Sequence, residues 1–135
     1  MCSNFLACDV GLKRIGVAQY CNGVVLPLEP ILRKNRNQAS QALKSLLVEK
    51  QICVLVVGIP KSQNEEEHEM ERRIKHFVSL VGFEGEIVYV DESCSSAEAH
   101  ERLLALGKKE RSEKIKNGEL DSLAAMIILE RYLNI

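Results

Sequence analysis

The sequence predicts an α/β fold, a mixed five-stranded sheet in the order β-β-β-α-β-α-β-α with helices on both faces. Three observations lead there. The first thirty residues hold three apolar runs joined by turns of only a few residues, as an antiparallel meander requires. From residue 37 onward, stretches with apolar residues at helical spacing alternate with short, near-continuous apolar runs, the pattern of parallel strands joined by crossover helices. No repeat, low-complexity tract or linker interrupts the chain, so residues 1–135 are expected to form one domain.

The elements follow in order. Phe5 to Val10 has almost no polar side chain and reads as a strand buried on both faces. Ile15–Tyr20 and Val24–Leu28 flank Asn22-Gly23, a strong hairpin signal, while Pro27 and Pro30 make the end of the third strand an edge or an exit. Ala39, Ala42, Leu43, Leu46 and Leu47 lie on one face of a helix that Asn37 could cap. Cys53–Gly58 is the next buried strand, stopped by Pro60. Asn64 and Glu67 have capping-box spacing before a stripe of Met70, Ile74, Phe77, Val78 and Val81. Glu86–Asp91 is a further strand. Ser95 and Glu98 repeat the capping spacing for a helix ending near Gly107. After a polar stretch, the last helix starts around Gly118 with Leu120, Leu123, Ala124, Ile127 and Ile128 on one face.

Composition narrows the function. The net charge of -1 argues against bulk attraction to nucleic acid, although a local basic patch would not show in it. Three Phe, three Tyr and no Trp are too few for a series of base-stacking platforms. No apolar run approaches the ~20 residues of a membrane span. Asp9 cuts the N-terminal apolar stretch too short for a signal peptide, so a soluble, cytoplasmic protein without a membrane partner is expected. The five cysteines (Cys2, Cys8, Cys21, Cys53 and Cys94) have neither C-x-x-C spacing nor a neighbouring histidine. No disulfide framework is expected, and Cys8 and Cys53 read as small buried hydrophobes.

In open α/β sheets, ligands bind beyond the carboxyl ends of the strands. Asp9 closes the first strand there, on a run with no other polar side chain, and Gly11 behind it permits close approach of a ligand. Asp91 and Glu92 close the last strand. Asp121 flanks the apolar face of the final helix, where Ala124 and Ala125 allow close packing on the sheet. Each acid alone could serve a turn or a helix N-terminus. Converging, they would repel strongly unless divalent cations intervened, and an all-oxygen ligand set selects Mg²⁺ or Mn²⁺ over zinc. Lys13 and Arg14 lie in the turn after Asp9, where a phosphate would approach. Lys108, Lys109, Arg111, Lys114 and Lys116 precede Asp121; such a run is either a solvated loop or a backbone-contacting one, and its position favours the latter. The acidic run Glu65–Glu71 and His68, His76 and His100 read as surface.

The segment Leu6-Ala-Cys-Asp9-Val-Gly11-Leu-Lys13-Arg14-Ile-Gly16-Val-Ala18 resembles the opening motif of the YqgF/RuvX family, Holliday-junction-resolvase-like proteins regarded as pre-16S ribosomal RNA nucleases. Val57-Gly58-Ile59-Pro60 is similar to that family's Gly-Leu-Pro strand end. Val90-Asp91-Glu92 with Ser95, Ser96, Glu98 and Ala99 resembles its Asp-Glu-Arg-Leu-Thr-Thr-x-Glu-Ala segment, and Asp121-Ser-Leu-Ala124-Ala125 its closing helix. Singly these motifs are weak; four in order along nearly the whole chain are specific. The resemblance implies a ribonuclease H-like fold related to the RuvC resolvase. It also implies metal-dependent phosphodiester hydrolysis, in which Asp9, Glu92 or Asp91, and Asp121 hold two Mg²⁺ or Mn²⁺ ions. Glu92 is favoured over Asp91 because adjacent strand residues point oppositely and Asp91 could serve the turn. Lys13, Arg14, Lys109, Arg111 and Lys114 would contact the nucleic acid. Leu12 stands where the family usually has Thr, and Ser93 and Cys94 replace its usual Arg-Leu.

Three readings compete. The leading one is an endonuclease on precursor 16S ribosomal RNA or branched DNA. A nucleic-acid-binding module of the same fold with lost or weak catalysis is the second, kept open by the departures at Leu12 and Ser93. A phosphate-loop ATPase also begins with Asp-x-Gly in a hairpin, but such proteins close two domains around the nucleotide and this chain has room for one.

Overall fold

The computed structural model describes residues 4–60, 64–91 and 119–134, the side chains of 119–121 excepted. Strand β1 is Phe5–Val10, β2 Arg14–Cys21, β3 Val24–Leu32, β4 Val54–Ile59 and β5 Glu86–Asp91. Helix α1 spans Arg36–Glu49, α2 Glu65–Val81 and α3 Glu119–Leu133. The strands form one sheet in the order β3-β2-β1-β4-β5. The first three pair antiparallel, while β4 lies parallel to both β1 and β5, as crossover helices dictate.

Period-2 alternation divides the core into two layers. Leu6, Cys8, Ile15, Val17, Leu55 and Val57 face α1 and α2, where Leu43, Leu47, Ile74 and Phe77 meet them. Ala7, Ala18 and Val56 face α3 through Ala125, Ile128 and Leu129. Helices therefore cover both faces of the sheet. Asn22 and Gly23 have φ of 53° and 84°, the doubly positive geometry that an Asn-Gly hairpin supplies. At α2, the Asn64 side chain accepts from Glu67 N–H at 2.9 Å and donates to the Glu67 carboxylate at 3.0 Å, so the expected cap forms.

Four local expectations need correction. β3 is the edge strand that its prolines indicate, but it runs to Leu32 rather than ending at Leu28, its register shifting at Glu29-Pro30, where a missing N–H is tolerated. Asn35 rather than Asn37 caps α1, its Oδ1 accepting from Gln38 N–H at 2.8 Å, so Asn37 falls inside the first turn. Met70 lies on the helical stripe of α2 yet is 46% exposed, lining an open cavity with Val10, Gly11 and Leu12 rather than packing in the core. Cys53 is disulfide-bonded rather than a buried thiol, whereas Cys8 and Cys21 are in no disulfide. It lies just outside β4, where its N–H bonds to Asn4 O, and the buried strand pattern does not reach it. The helix expected after Ser95 and the polar stretch behind it lie outside the described residues. No helix among the described residues is long and apolar enough to cross a membrane.

Candidate active site

β1 runs between β2 and β4, and its carboxyl end carries Asp9. Leu6, Cys8 and Val10 pack toward α1 and α2, and Phe5 and Ala7 toward α3, so alternation puts Asp9 on the α3 face. Both lateral neighbours at its level are glycines. Gly16 is its register partner on β2, and Gly58 stands one step past the Cys8–Val57 pair on β4. At the level of the half-buried Asp9, neither adjoining strand therefore places a side chain beyond a glycine hydrogen. The turn leading away from it is tightly built. Gly11 N–H bonds to Arg14 O at 3.0 Å, and a Cβ on Gly11 would stand 2.5 Å from that oxygen, so only glycine fits.

α3 crosses the same face over β2 and β3, held at its start by Ser122. Val17 on β2 and Leu28 on β3 are register partners next to the bulge. The buried Ser122 hydroxyl stands between them, donating to Leu28 O at 2.6 Å and accepting from Val17 N–H at 3.5 Å. A side chain from the helix is thus spliced into the β2–β3 ladder. Ser122 is fixed beside Val17, the residue after Asp9's partner Gly16, and Asp121 is the residue before Ser122. The backbone of Asp121 is thereby carried over the strand adjoining Asp9; its side chain lies outside the description.

Asp91 stands differently. It ends β5 opposite Ile59, and Ile59 and Ile87 pack into the α1/α2 layer while Val88 and Val90 pack into the α3 layer. Alternation places the exposed Asp91 on the α1/α2 face, opposite to Asp9. Its carbonyl accepts a hydrogen bond of 2.9 Å from Arg131 Nη1, which ties the last turn of α3 to the end of β5. Lys13 is exposed in the β1–β2 turn, and Arg14 opens β2, half-buried, paired with Leu32. Glu92, Lys109, Arg111 and Lys114 lie outside the described residues, as does His100; His68 and His76 are exposed.

Residues 3–135 match the family model described as RuvX, Holliday junction resolvase. A Helicobacter pylori (strain HPAG1) protein named "Putative pre-16S rRNA nuclease" is 61% identical over 127 residues, covering 94% of this chain and 92% of that protein. The chain belongs to the RuvX family. A Campylobacter jejuni relative of the same name is 52% identical over 128 residues, 94% of this chain and 95% of its own. Among solved structures, T. thermophilus RuvC in complex with a Holliday junction substrate superposes with a TM-score of 0.56 at 12% identity, over 98% of this chain and 96% of that one. The fowlpox virus Holliday junction resolvase gives 0.53 at 14% identity, over 96% of both chains. These two likenesses establish the fold, a ribonuclease H-like mixed sheet.

Two residues of this RuvX protein shape the site without having been singled out from sequence. Ser122 is one; its only signal was its place inside the Asp121-Ser-Leu-Ala-Ala motif. Arg33 is the other. Its guanidinium donates to Gly11 O at 2.9 Å and lies 5.2 Å from the centre of the Phe77 ring, and its N–H donates to Lys13 O at 2.9 Å. It braces the β1–β2 turn against α2 from a strand exit that carries no motif.

Proposed function

We propose that this RuvX protein is a divalent-metal-dependent endonuclease acting on precursor 16S ribosomal RNA, with Asp9, Glu92 and Asp121 as its catalytic carboxylates. The observation that carries the reading is the position of Asp9. It is a half-buried acid at a strand carboxyl end, flanked by glycines on both neighbouring strands, under the face where Ser122 anchors the start of α3. Glycine on both sides gives a phosphodiester backbone room to reach the carboxylate. Glu92 takes precedence over Asp91 because Asp91 stands on the other face of the sheet. In this reading residues 1–135 act as one cytoplasmic catalytic domain whose partner is nucleic acid.

The donor set is carboxylate oxygen alone, which suits Mg²⁺ or Mn²⁺. Among the described residues no three candidate ligands gather, and the side chains of Glu92 and Asp121 are not among them. Two bound ions would supply activation of water and stabilisation of the leaving oxygen. The protein's own share is to hold the carboxylates on one face and to neutralise backbone charge. Lys13 and Arg14 supply positive charge beside Asp9, with Lys109, Arg111 and Lys114 reaching the backbone farther along.

Asp9→Asn tests this, with cleavage of a precursor ribosomal RNA end and of a four-way DNA junction measured in Mg²⁺, Mn²⁺ or chelator. Cleavage should require the metal and fall by orders of magnitude in the variant, while binding in chelator holds or tightens because a repelling carboxylate is gone. Cleavage that survives chelation, or that Asp9→Asn leaves intact, refutes the mechanism. Inactivity of the wild type on both substrates with either metal would favour a binding module.

A further inference from the structure

On the other side of the β1–β2 turn, two adjoining cavities of about 350 and 460 Å³ share Leu12, Arg33, Glu69 and Arg73 among their walls. Together they form a groove between the turn, the exit of β3 and the first half of α2. Four guanidinium groups line it: Arg33, Arg36, Arg72 and Arg73. In a chain whose net charge is -1, that is a strong local concentration of positive charge. Arg33 is held in place by Gly11 O and Phe77, whereas the other three are exposed. The groove also carries bare apolar surface, for Leu12 is 75% and Met70 46% exposed. Neither of them packs into the core, so folding does not account for an apolar residue at either place.

The acids in the groove set its selectivity without cancelling its charge. Glu66 and Glu69 are the two, against four arginines. Glu69 is shared, 3.1 Å from Arg73 and 4.0 Å from Arg72, with all three side chains more than half exposed. Ion pairs this exposed contribute little, so a phosphate can take over either guanidinium at small cost. Arginine also presents a planar fork that fits phosphate oxygens two at a time.

We propose that this groove binds a single-stranded segment of nucleic acid, its phosphates on Arg33, Arg36, Arg72 and Arg73 and an unpaired base against Leu12 and Met70. The groove meets the candidate active site across one turn: Val10 and Gly11 form its wall, and Asp9 is the preceding residue on the opposite face. A strand leaving the acids over the β1–β2 turn enters the groove directly. Single strands are favoured over duplex because only unpaired bases offer a free face to Leu12 and Met70. The inference deepens the nuclease reading, since it assigns the path of the substrate beyond the scissile bond, and it rests on that reading for the identity of the partner.

The test is fluorescence anisotropy in chelator, without cleavage, using the full chain and labelled 12-nucleotide single-stranded RNA, single-stranded DNA and duplex of the same length. Arg36→Gln/Arg72→Gln should weaken single-strand binding at least several-fold and flatten the salt dependence by about 1.4 log units, two contacts at ~0.7 each. Leu12→Ser/Met70→Ser should weaken single-strand binding with an unchanged salt slope and leave duplex binding alone. All four positions are exposed, and thermal melts confirm that the variants remain folded. RNA and DNA strands bound alike indicate recognition through phosphate and base; RNA bound more tightly adds a contact to the 2′-hydroxyl, and either result supports the groove. An unchanged salt slope in the arginine variant overturns the proposal, as does an equal loss on duplex in the leucine–methionine variant. Metal-dependent cleavage by the wild type together with unchanged binding by the arginine variant refutes the groove alone. A wild type without cleavage whose single-strand binding needs these arginines refutes the nuclease reading alone.

Discussion

Replacing Ser122 by alanine removes one oxygen and breaks a connection between three elements. The hydroxyl donates to Leu28 O at 2.6 Å, a short bond, and accepts from Val17 N–H at 3.5 Å, a long one. Loss of the short bond costs ~0.5–1.5 kcal/mol. Val17 is fully buried, so its N–H, left without water, adds up to ~1–3 kcal/mol if nothing replaces the hydroxyl. Val17 and Leu28 are register partners and can close on each other, which recovers part of that loss. A net destabilisation of about 1–3 kcal/mol follows. With a urea m-value of ~1–3 kcal/mol/M, the midpoint should fall by roughly 1 M. Equilibrium urea unfolding of wild type, Ser122→Ala and Ser122→Thr measures this, threonine being expected to restore much of the stability by returning the hydroxyl. Metal-dependent cleavage should fall in the alanine variant even under conditions where it is fully folded, because Asp121 is carried by the turn that Ser122 holds. A stability change below ~0.5 kcal/mol would refute the account of Ser122 as a splice between helix and ladder.

Two further outcomes are expected. Gly11→Ala should destabilise by ~1–3 kcal/mol, because its Cβ would meet Arg14 O at 2.5 Å and the turn would have to open; thermal or urea unfolding checks this. Replacing Lys109, Arg111 and Lys114 together by alanine should weaken nucleic-acid binding irrespective of sequence and lower the salt slope by about 2 log units on single strands, at ~0.7 per contact; titrations across salt concentrations read both.

What could be read in advance depended on how local each cause is. β1 and β5 have the ends that the apolar runs indicate, and the Asn22-Gly23 hairpin and the Asn64 cap formed as their spacing required. Each of these is decided within a few residues. The face that Asp91 takes follows from strand alternation in the same way, since β5 places Ile87 and Val88 in different layers. Ser122 was not legible, since its role depends on a bulge at Glu29-Pro30 some ninety residues earlier in the chain. Arg33 was missed for the same reason: the carbonyl and the ring it touches belong to β1–β2 and α2. The prolines of β3 marked its edge position correctly, but how far the strand continues past them depends on the bulge opposite Gly16, which is a tertiary fact.

The β1–β2 turn is where these features become one mechanism. Asp9 leaves the sheet on the α3 face, and two residues later Gly11 bends the chain so that Leu12 stands clear on the other side. A turn that divides Asp9 from the arginines of the groove must not yield when a charged strand is drawn across it. Its rigidity comes from three hydrogen bonds: two between backbone groups, Gly11 N–H to Arg14 O and Arg33 N–H to Lys13 O, and one from the Arg33 guanidinium to Gly11 O. Arg33 serves twice, bracing the turn and presenting charge to the groove. Leucine in place of the family's usual threonine at position 12 then has a physical reading. A hydroxyl at that tip would contact a phosphate, whereas an exposed isobutyl group offers an apolar contact to a base. On this account the departure at Leu12 moves recognition at the turn from backbone toward base, and Leu12→Thr should lessen the preference for single strands over duplex while leaving the salt slope unchanged, because a neutral hydroxyl releases no counterion.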